Sequence, residues 1–299
     1  MYISYNEACG LGCSTLEKDL ELCEKAGFDY IEIRFDMLME YLRTHKAEDL
    51  AGFFASHHLK PHAFNALYLY PEFLGKDDDK KRRTFLMGQF LFACDIGKRI
   101  GNHHMIVVPP FLEGPNYSPF PGTEKERDEN CIRMLRELGP IAREYGMKLC
   151  FEPVGFPRSS VRNIQHARQI VETVSMDNVG YVFDAYNIYL CNGKNEFEEM
   201  KTVDKNKIFA VHVNSADDVP ERERAQERRC FPGQGVVDMD RFLGVLKEIG
   251  YTGMCSIETF RPEYWERTPE WVVEQAYETT RRVMERNFVW EENRGFCSD

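Results

Sequence analysis

Four apolar runs in the second half of the chain each end on a side chain that can ligate a metal. Lys148-Leu149-Cys150-Phe151 leads into Glu152, and Gly180-Tyr181-Val182-Phe183 into Asp184. Ile208-Phe209-Ala210-Val211 leads into His212, and Met254-Cys255-Ser256-Ile257 into Glu258. One such residue alone is usually a helix cap, a surface charge or a satisfied polar group. Four in succession mean more, because each follows a run that should be buried and an unpaired buried charge is costly. Three carboxylates and one imidazole suit Zn²⁺, Mn²⁺, Co²⁺ or Fe²⁺ better than a thiol-preferring metal. The oxygen count keeps Mg²⁺ eligible. Three carboxylates facing one another repel strongly unless a cation lies among them. The expected cofactor is therefore one divalent ion (Zn, Mn, Co or Mg).

The other histidines do not compete. His57 and His58 fall in a helical segment, and His45 and His166 read as exposed helix residues. His62 begins a strand beside Pro61, and His103 and His104 begin another.

For four strand ends to meet, the strands must be neighbours in one parallel sheet, ~4.8 Å apart. The hydrophobic pattern supplies such a sheet. Strand candidates fall at 2–6, 29–34, 61–66, 103–109, 148–152, 179–184, 208–213 and 253–258. Helical stretches fall at 15–26, 46–58, 80–100, 124–145, 162–175, 196–203, 239–249 and 269–287. Ser14 and Glu17 have capping-box spacing before the first helix. A helix, a glycine and a strand recur at Gly27, Gly146 and Gly250. Strict strand–helix alternation predicts an α/β protein, and eight units in 299 residues predict a single (β/α)8 TIM barrel. A doubly wound open sheet is the alternative. It is weakened by Cys9-Gly10-Leu11-Gly12-Cys13, which lacks the third glycine of a phosphate-binding turn. One domain is expected over 1–299, with a peripheral tail at about 288–299. In such a barrel the chemistry sits where strands end. Asn6, Arg34 and Asn65 end strands 1, 2 and 3 and are the polar candidates for substrate contact. Arg34 is either such a contact or an ion pair with an interior carboxylate. The long loop 109–121 and the aromatics Tyr68, Tyr70, Phe111, Phe231 and Trp265 lie toward the same face. The charge run 221–229 reads mostly as a solvated loop.

Composition narrows the function. Lys plus Arg is 38 against Asp plus Glu at 49, a net charge of -11 that disfavours nucleic acid. No run of ~18 apolar residues could cross a membrane. The N-terminus has no basic segment followed by an apolar stretch, so a cytoplasmic location is expected. The ten cysteines are scattered without a CxxC pair and are expected to be reduced.

Further segments carry a resemblance. They include Asn6-Glu7-Ala8, Asp29-Tyr30-Ile31-Glu32-Ile33-Arg34, His57-His58-Leu59-Lys60-Pro61 and Phe64-Asn65-Ala66-Leu67. Asp177-Asn178-Val179-Gly180, Pro232-Gly233-Gln234-Gly235 and Phe260-Arg261-Pro262-Glu263-Tyr264 continue them. The chain resembles the sugar isomerase/epimerase superfamily of xylose-isomerase-like barrels, and within it the 2-keto-myo-inositol (inosose) isomerases. The match is poor over about 70–125 and after about 288. The resemblance implies that Glu152, Asp184, His212 and Glu258 bind one divalent metal, and that Arg229 reaches the substrate. Two positions depart from the family's pattern. Asn187 stands where a histidine is usual, three residues after Asp184, and Asn214 where an aspartate is usual, two after His212. Both are expected near substrate or metal, and neither can shuttle a proton.

The expected function is a metal-dependent isomerase of a cyclic polyol ketone or ketose, working through an enediolate, with Glu152 and Glu258 as the acid–base pair. A ketose 3-epimerase or an inosose dehydratase would use the same residues. An endonuclease IV-like repair enzyme would need several more histidine ligands, and strand ends 2 and 3 supply Arg34 and Asn65 instead. A non-catalytic sugar-binding module would bind without exchanging any substrate C–H. The expected partner is the small-molecule substrate, and a homo-oligomer is compatible with the sequence.

Overall fold

A computed structural model describes residues 1–75, 79–291 and 295–297. Eight parallel strands close a barrel: β1 (Tyr2–Asn6), β2 (Tyr30–Arg34), β3 (Lys60–Tyr68), β4 (His104–Val108), β5 (Lys148–Phe151), β6 (Val179–Asp184), β7 (Ile208–Val213) and β8 (Met254–Ile257). They stand in sequence order, with β1 pairing β8 to complete the ring. The open-sheet alternative is thereby excluded. The register brings the ends level: Asp184 pairs with His212, and Ser256 with His212 from the other side.

The helices are α1 (Leu16–Ala26), α2 (Phe35–Tyr41), α3 (Ala47–Ser56), α4 (Asp79–Ile100), α5 (Glu124–Glu144), α6 (Ile164–Val174), α7 (Ala185–Asn192), α8 (Met239–Ile249), α9 (Pro262–Trp265) and α10 (Pro269–Asn287). The strands are buried on both faces, outward against these helices and inward against one another, which is why their sequences run apolar without alternation. Gly27, at φ 93°, takes the left-handed turn that ends α1 and returns the chain to β2.

Local details differ from the sequence reading. Thr15, not Ser14, caps α1, accepting from the Lys18 N–H at 3.3 Å. Ser14 instead donates to Asp19 at 2.6 Å. The helix expected at 196–203 is a 3-10 turn, Glu198–Thr202. The helix that follows β6 is α7, starting at once after Asp184, whose own side chain caps it. His57 and His58 lie past the end of α3. In the tail, Val289–Glu291 pairs with Gly295–Cys297 in a two-stranded ribbon, and Phe296 is buried with its backbone bonded to Met1. None of the ten cysteines forms a disulfide. Among the described residues no helix is long and apolar enough to cross a membrane.

Candidate metal centre

The four predicted ligands meet. Glu152, Asp184, His212 and Glu258 each offer an atom within 4.8 Å of the others, and all four are buried. His212 projects from β7 into the lumen. Its Nδ1 lies 3.6 Å from Glu152 Oε1, 3.7 Å from Asp184 Oδ2 and 3.5 Å from Glu258 Oε2. That nitrogen has no hydrogen-bond partner. The other, Nε2, is 3.2 Å from Glu32 Oε2 on β2 and donates to it, since an ionised carboxylate can only accept.

Each carboxylate is fixed by amides on its other side or flank. Glu258 Oε1 accepts from Asn6 Nδ2 and Asn65 Nδ2, both at 3.0 Å. Glu152 Oε1 accepts from Asn187 Nδ2 at 3.0 Å. Asp184 Oδ1 accepts the Asn187 backbone N–H at 2.7 Å, which is the cap of α7. Asp184 Oδ2 accepts from Asn214 Nδ2 at 2.6 Å, and Asn214 Oδ1 in turn accepts the Tyr186 N–H.

Arg229 completes the cluster. It is 1% exposed, although it lies at the end of the charge run read as a solvated loop. Residues Arg229–Cys230 pair with Ser215–Ala216 in a short antiparallel ribbon, which draws the side chain inward. Its Nη1 donates to Asp184 Oδ2 at 2.5 Å and to Glu258 Oε2 at 3.1 Å. The Tyr186 and Phe260 rings flank the guanidinium at 5.5 and 5.6 Å.

The electrostatics follow from burial among like charges. Burial pushes Glu258 up to about 7, with Glu152 and Asp184 adding to it and His212 and Arg229 only partly offsetting it. Burial opposes a charge on His212, yet Glu32 and Glu258 outweigh it and hold the imidazole well above its usual range. Glu32 is buried too, but His212, His62 and the Asn65 amide bring it down to about 2. This donor set fits a divalent cation. An orphaned buried imidazole nitrogen faces three carboxylates, and the Arg229 Nη1 already places positive charge on two of the oxygens nearest to it.

The other sequence candidates are placed as follows. Asn6, Asn65, Asn187 and Asn214 all direct their side-chain N–H groups at the carboxylates. The Arg34 guanidinium pairs with Asp36 through Nε at 3.0 Å and Nη2 at 2.9 Å, not with an interior carboxylate, while the Arg34 backbone N–H donates to buried Glu7 Oε2 at 2.7 Å. It lines a cleft of about 610 Å³ together with Asn65, Tyr68, Tyr70, Phe85 and Glu113. Asn65 thus joins the cleft to Glu258. Phe231 is buried and stacks on Tyr264 at 4.3 Å, and Phe111 lies under Arg158 at 3.9 Å. Trp265 donates to the Ala8 carbonyl at 3.3 Å. Glu32, His62, Tyr186 and Phe260 were not singled out by the sequence. Glu32 had a readable signal: a lone charge inside Tyr30-Ile31-Glu32-Ile33, on a strand with no solvent face. A second trio, Glu124, Asp128 and His166, sits outside the barrel and is partly to fully exposed.

A family model described as "Xylose isomerase-like TIM barrel" matches residues 20–282. The chain belongs to the xylose isomerase-like TIM-barrel family. Among its relatives, the inosose isomerase of Bacillus velezensis is 39% identical over 292 residues, covering 97% of this chain and all of that protein. The inosose isomerase of Bacillus subtilis is 38% identical, over 96% of this chain and 99% of its own. Among solved structures, the IolI protein with a bound zinc atom superposes with a TM-score of 0.87 at 37% identity, covering 96% of this chain and 99% of that one. As a member of this family the chain shares the barrel over nearly its full length.

Proposed function

We propose that this chain is a divalent-metal-dependent isomerase of a cyclic polyol ketone of the 2-keto-myo-inositol type. The observation that carries the reading is the buried Glu152–Asp184–His212–Glu258 cluster, in a chain similar to inosose isomerases from end to end. Glu152, Asp184, His212 and Glu258 hold the cation. A divalent ion there supplies Lewis-acid stabilisation of the negative charge that builds on substrate oxygen as an α-proton leaves.

The chain's own groups do the proton work. Glu152 follows β5 and Glu258 follows β8, with β6 and β7 between them, so the two carboxylates flank the centre from opposite sides. One takes the proton from the carbon that bears the hydroxyl. The other returns a proton to the former carbonyl carbon. The hydroxyl proton moves to the neighbouring oxygen, the C=O shifts by one carbon, and no atom is gained or lost. Asn187 holds Glu152 for this task, and Asn6 and Asn65 hold Glu258. Arg229, Asn214 and Arg34 are the polar groups nearest the substrate's oxygens, and the cleft beside Asn65 admits it. Pre-fixed donors of this kind cost no reorganisation at the moment of reaction.

Proton NMR in D₂O tests the reading. Zinc-loaded protein is expected to erase the C–H signal beside the carbonyl of 2-keto-myo-inositol and to build the signals of an isomeric inosose. Folded, zinc-loaded protein that exchanges no C–H would overturn it. Inversion of one centre in a ketose panel, with no carbonyl shift, would replace it by an epimerase.

A further inference from the structure

We propose that Glu32, on the far side of the barrel from His212, is the positioning residue that sets the imidazole's tautomer and links two of the metal ligands. This rests on the metal-site reading above and adds a residue to it. Glu32 is fully buried in the lumen, on β2, separated from the β7 strand of His212 by β1 and β8. Its two oxygens have two different donors. Oε2 faces His212 Nε2 at 3.2 Å, and Oε1 accepts from Asn65 Nδ2 at 2.8 Å. The same Asn65 Nδ2 donates to Glu258 Oε1 at 3.0 Å. One carboxylate therefore orients His212 directly and Glu258 through a single amide.

The consequence for His212 is definite. Glu32 offers only acceptors toward its two partners, so the imidazole must carry a proton on Nε2. The nitrogen left to give its lone pair to a metal is then Nδ1, the atom that faces Glu152, Asp184 and Glu258. A histidine ligand held this way is a stronger base and cannot turn its ring away. Glutamine at position 32 has one oxygen and one NH₂. It can satisfy His212 or Asn65, but not both, because the remaining pair would set donor against donor.

Zinc titration of the full chain against a chromophoric chelator tests this. Outer partners of metal-bound histidines typically govern affinity by about 10–100-fold, and Glu32→Gln is expected to lose zinc affinity in that range. Glu32→Asp, which keeps both acceptors but withdraws them, is expected to fall between. Wild-type affinity in folded Glu32→Gln overturns the proposal while leaving the metal site standing. No zinc binding by the wild-type chain overturns both readings together. A measurement without substitution decides the case if the variants do not fold. In ¹⁵N-histidine-labelled protein, the one ring that shifts on zinc addition is expected to show Nδ1 coordination with Nε2 protonated. Coordination through Nε2 overturns the proposal.

Discussion

Replacing Arg229 with methionine should tighten zinc binding. Arg229 Nη1 donates to Asp184 Oδ2 and Glu258 Oε2, the two oxygens that also face His212 Nδ1. A cation entering among those atoms competes with the guanidinium for the same lone pairs and feels its charge. A hydrogen bond to a charged group is worth about 1.5–3 kcal/mol. Removing one such competing bond corresponds to about 10- to 150-fold in affinity, at about 1.4 kcal/mol per decade. Methionine keeps the length and the apolar contact between the Tyr186 and Phe260 rings. Protons work against the effect, because Glu258 is already pushed up to about 7 and loses a cation in the variant. The comparison therefore belongs at about pH 8.5, by chelator competition on wild-type and Arg229→Met protein. Unpaired buried carboxylates also destabilise the metal-free variant, so zinc should raise its melting temperature by more than it raises the wild type's. Weaker zinc binding by folded Arg229→Met at that pH would refute the reasoning. It would show that Arg229 holds the carboxylates together for the ion instead of opposing it.

Two further outcomes follow from the same structure. Asp19 lies buried behind the site with Ser14 as its donor and is pushed up to about 7, chiefly by burial. A carboxyl raised in this way is stabilising only while protonated. Stability should fall as pH rises from its unfolded value near 3.8 to about 7, where the buried Glu7 carboxyl opposes a second charge. Asp19→Asn should escape that loss, so its melting temperature should draw ahead of the wild type's above pH 5 and lead most above pH 7. A gap that does not widen with pH in thermal scans would show that Asp19 is not the titrating group. At the site, Asn187→Leu removes the 3.0 Å amide contact to Glu152 at nearly constant volume. It should cost about tenfold or more in kcat/KM, on the scale of a hydrogen bond to a charged group. Asn187→His, which can still donate, should recover part of it. Unchanged kcat/KM in Asn187→Leu would remove Asn187 from the account of Glu152.

The candidate ligand set was legible because the fold makes it so. In a parallel barrel every strand points the same way, and a polar residue after a buried run has one place to go. Glu152, Asp184, His212 and Glu258 could be found from that rule and the strand boundaries alone. The partners of those ligands were less legible. Asn6 and Asn65 stood out as strand-end polar groups, but that both donate to Glu258 depends on distances across the lumen, which no local pattern encodes. Glu32 reaches His212 from 180 residues away. Helix α7 was missed because Ala185-Tyr186-Asn187-Ile188 shows no clean helical period: both of its faces are largely buried. Ser14 and Thr15 illustrate the remaining ambiguity. Either can cap α1, and only the position of the buried Asp19 carboxyl decides which hydroxyl is spent elsewhere.

Asp184 does two jobs with one carboxyl group. Its Oδ1 starts helix α7, and its Oδ2 faces His212 Nδ1 in the candidate metal centre. Replacements at 184 must pass two tests, and few residues pass even one. Serine, threonine and asparagine all start helices well, but none brings a negative oxygen. Glutamate brings the charge, but its longer stem moves the oxygens off the cap. Sequence drift at this position is thus confined from both directions: the change that keeps the helix sacrifices the ion, and the change that keeps the charge frays the helix.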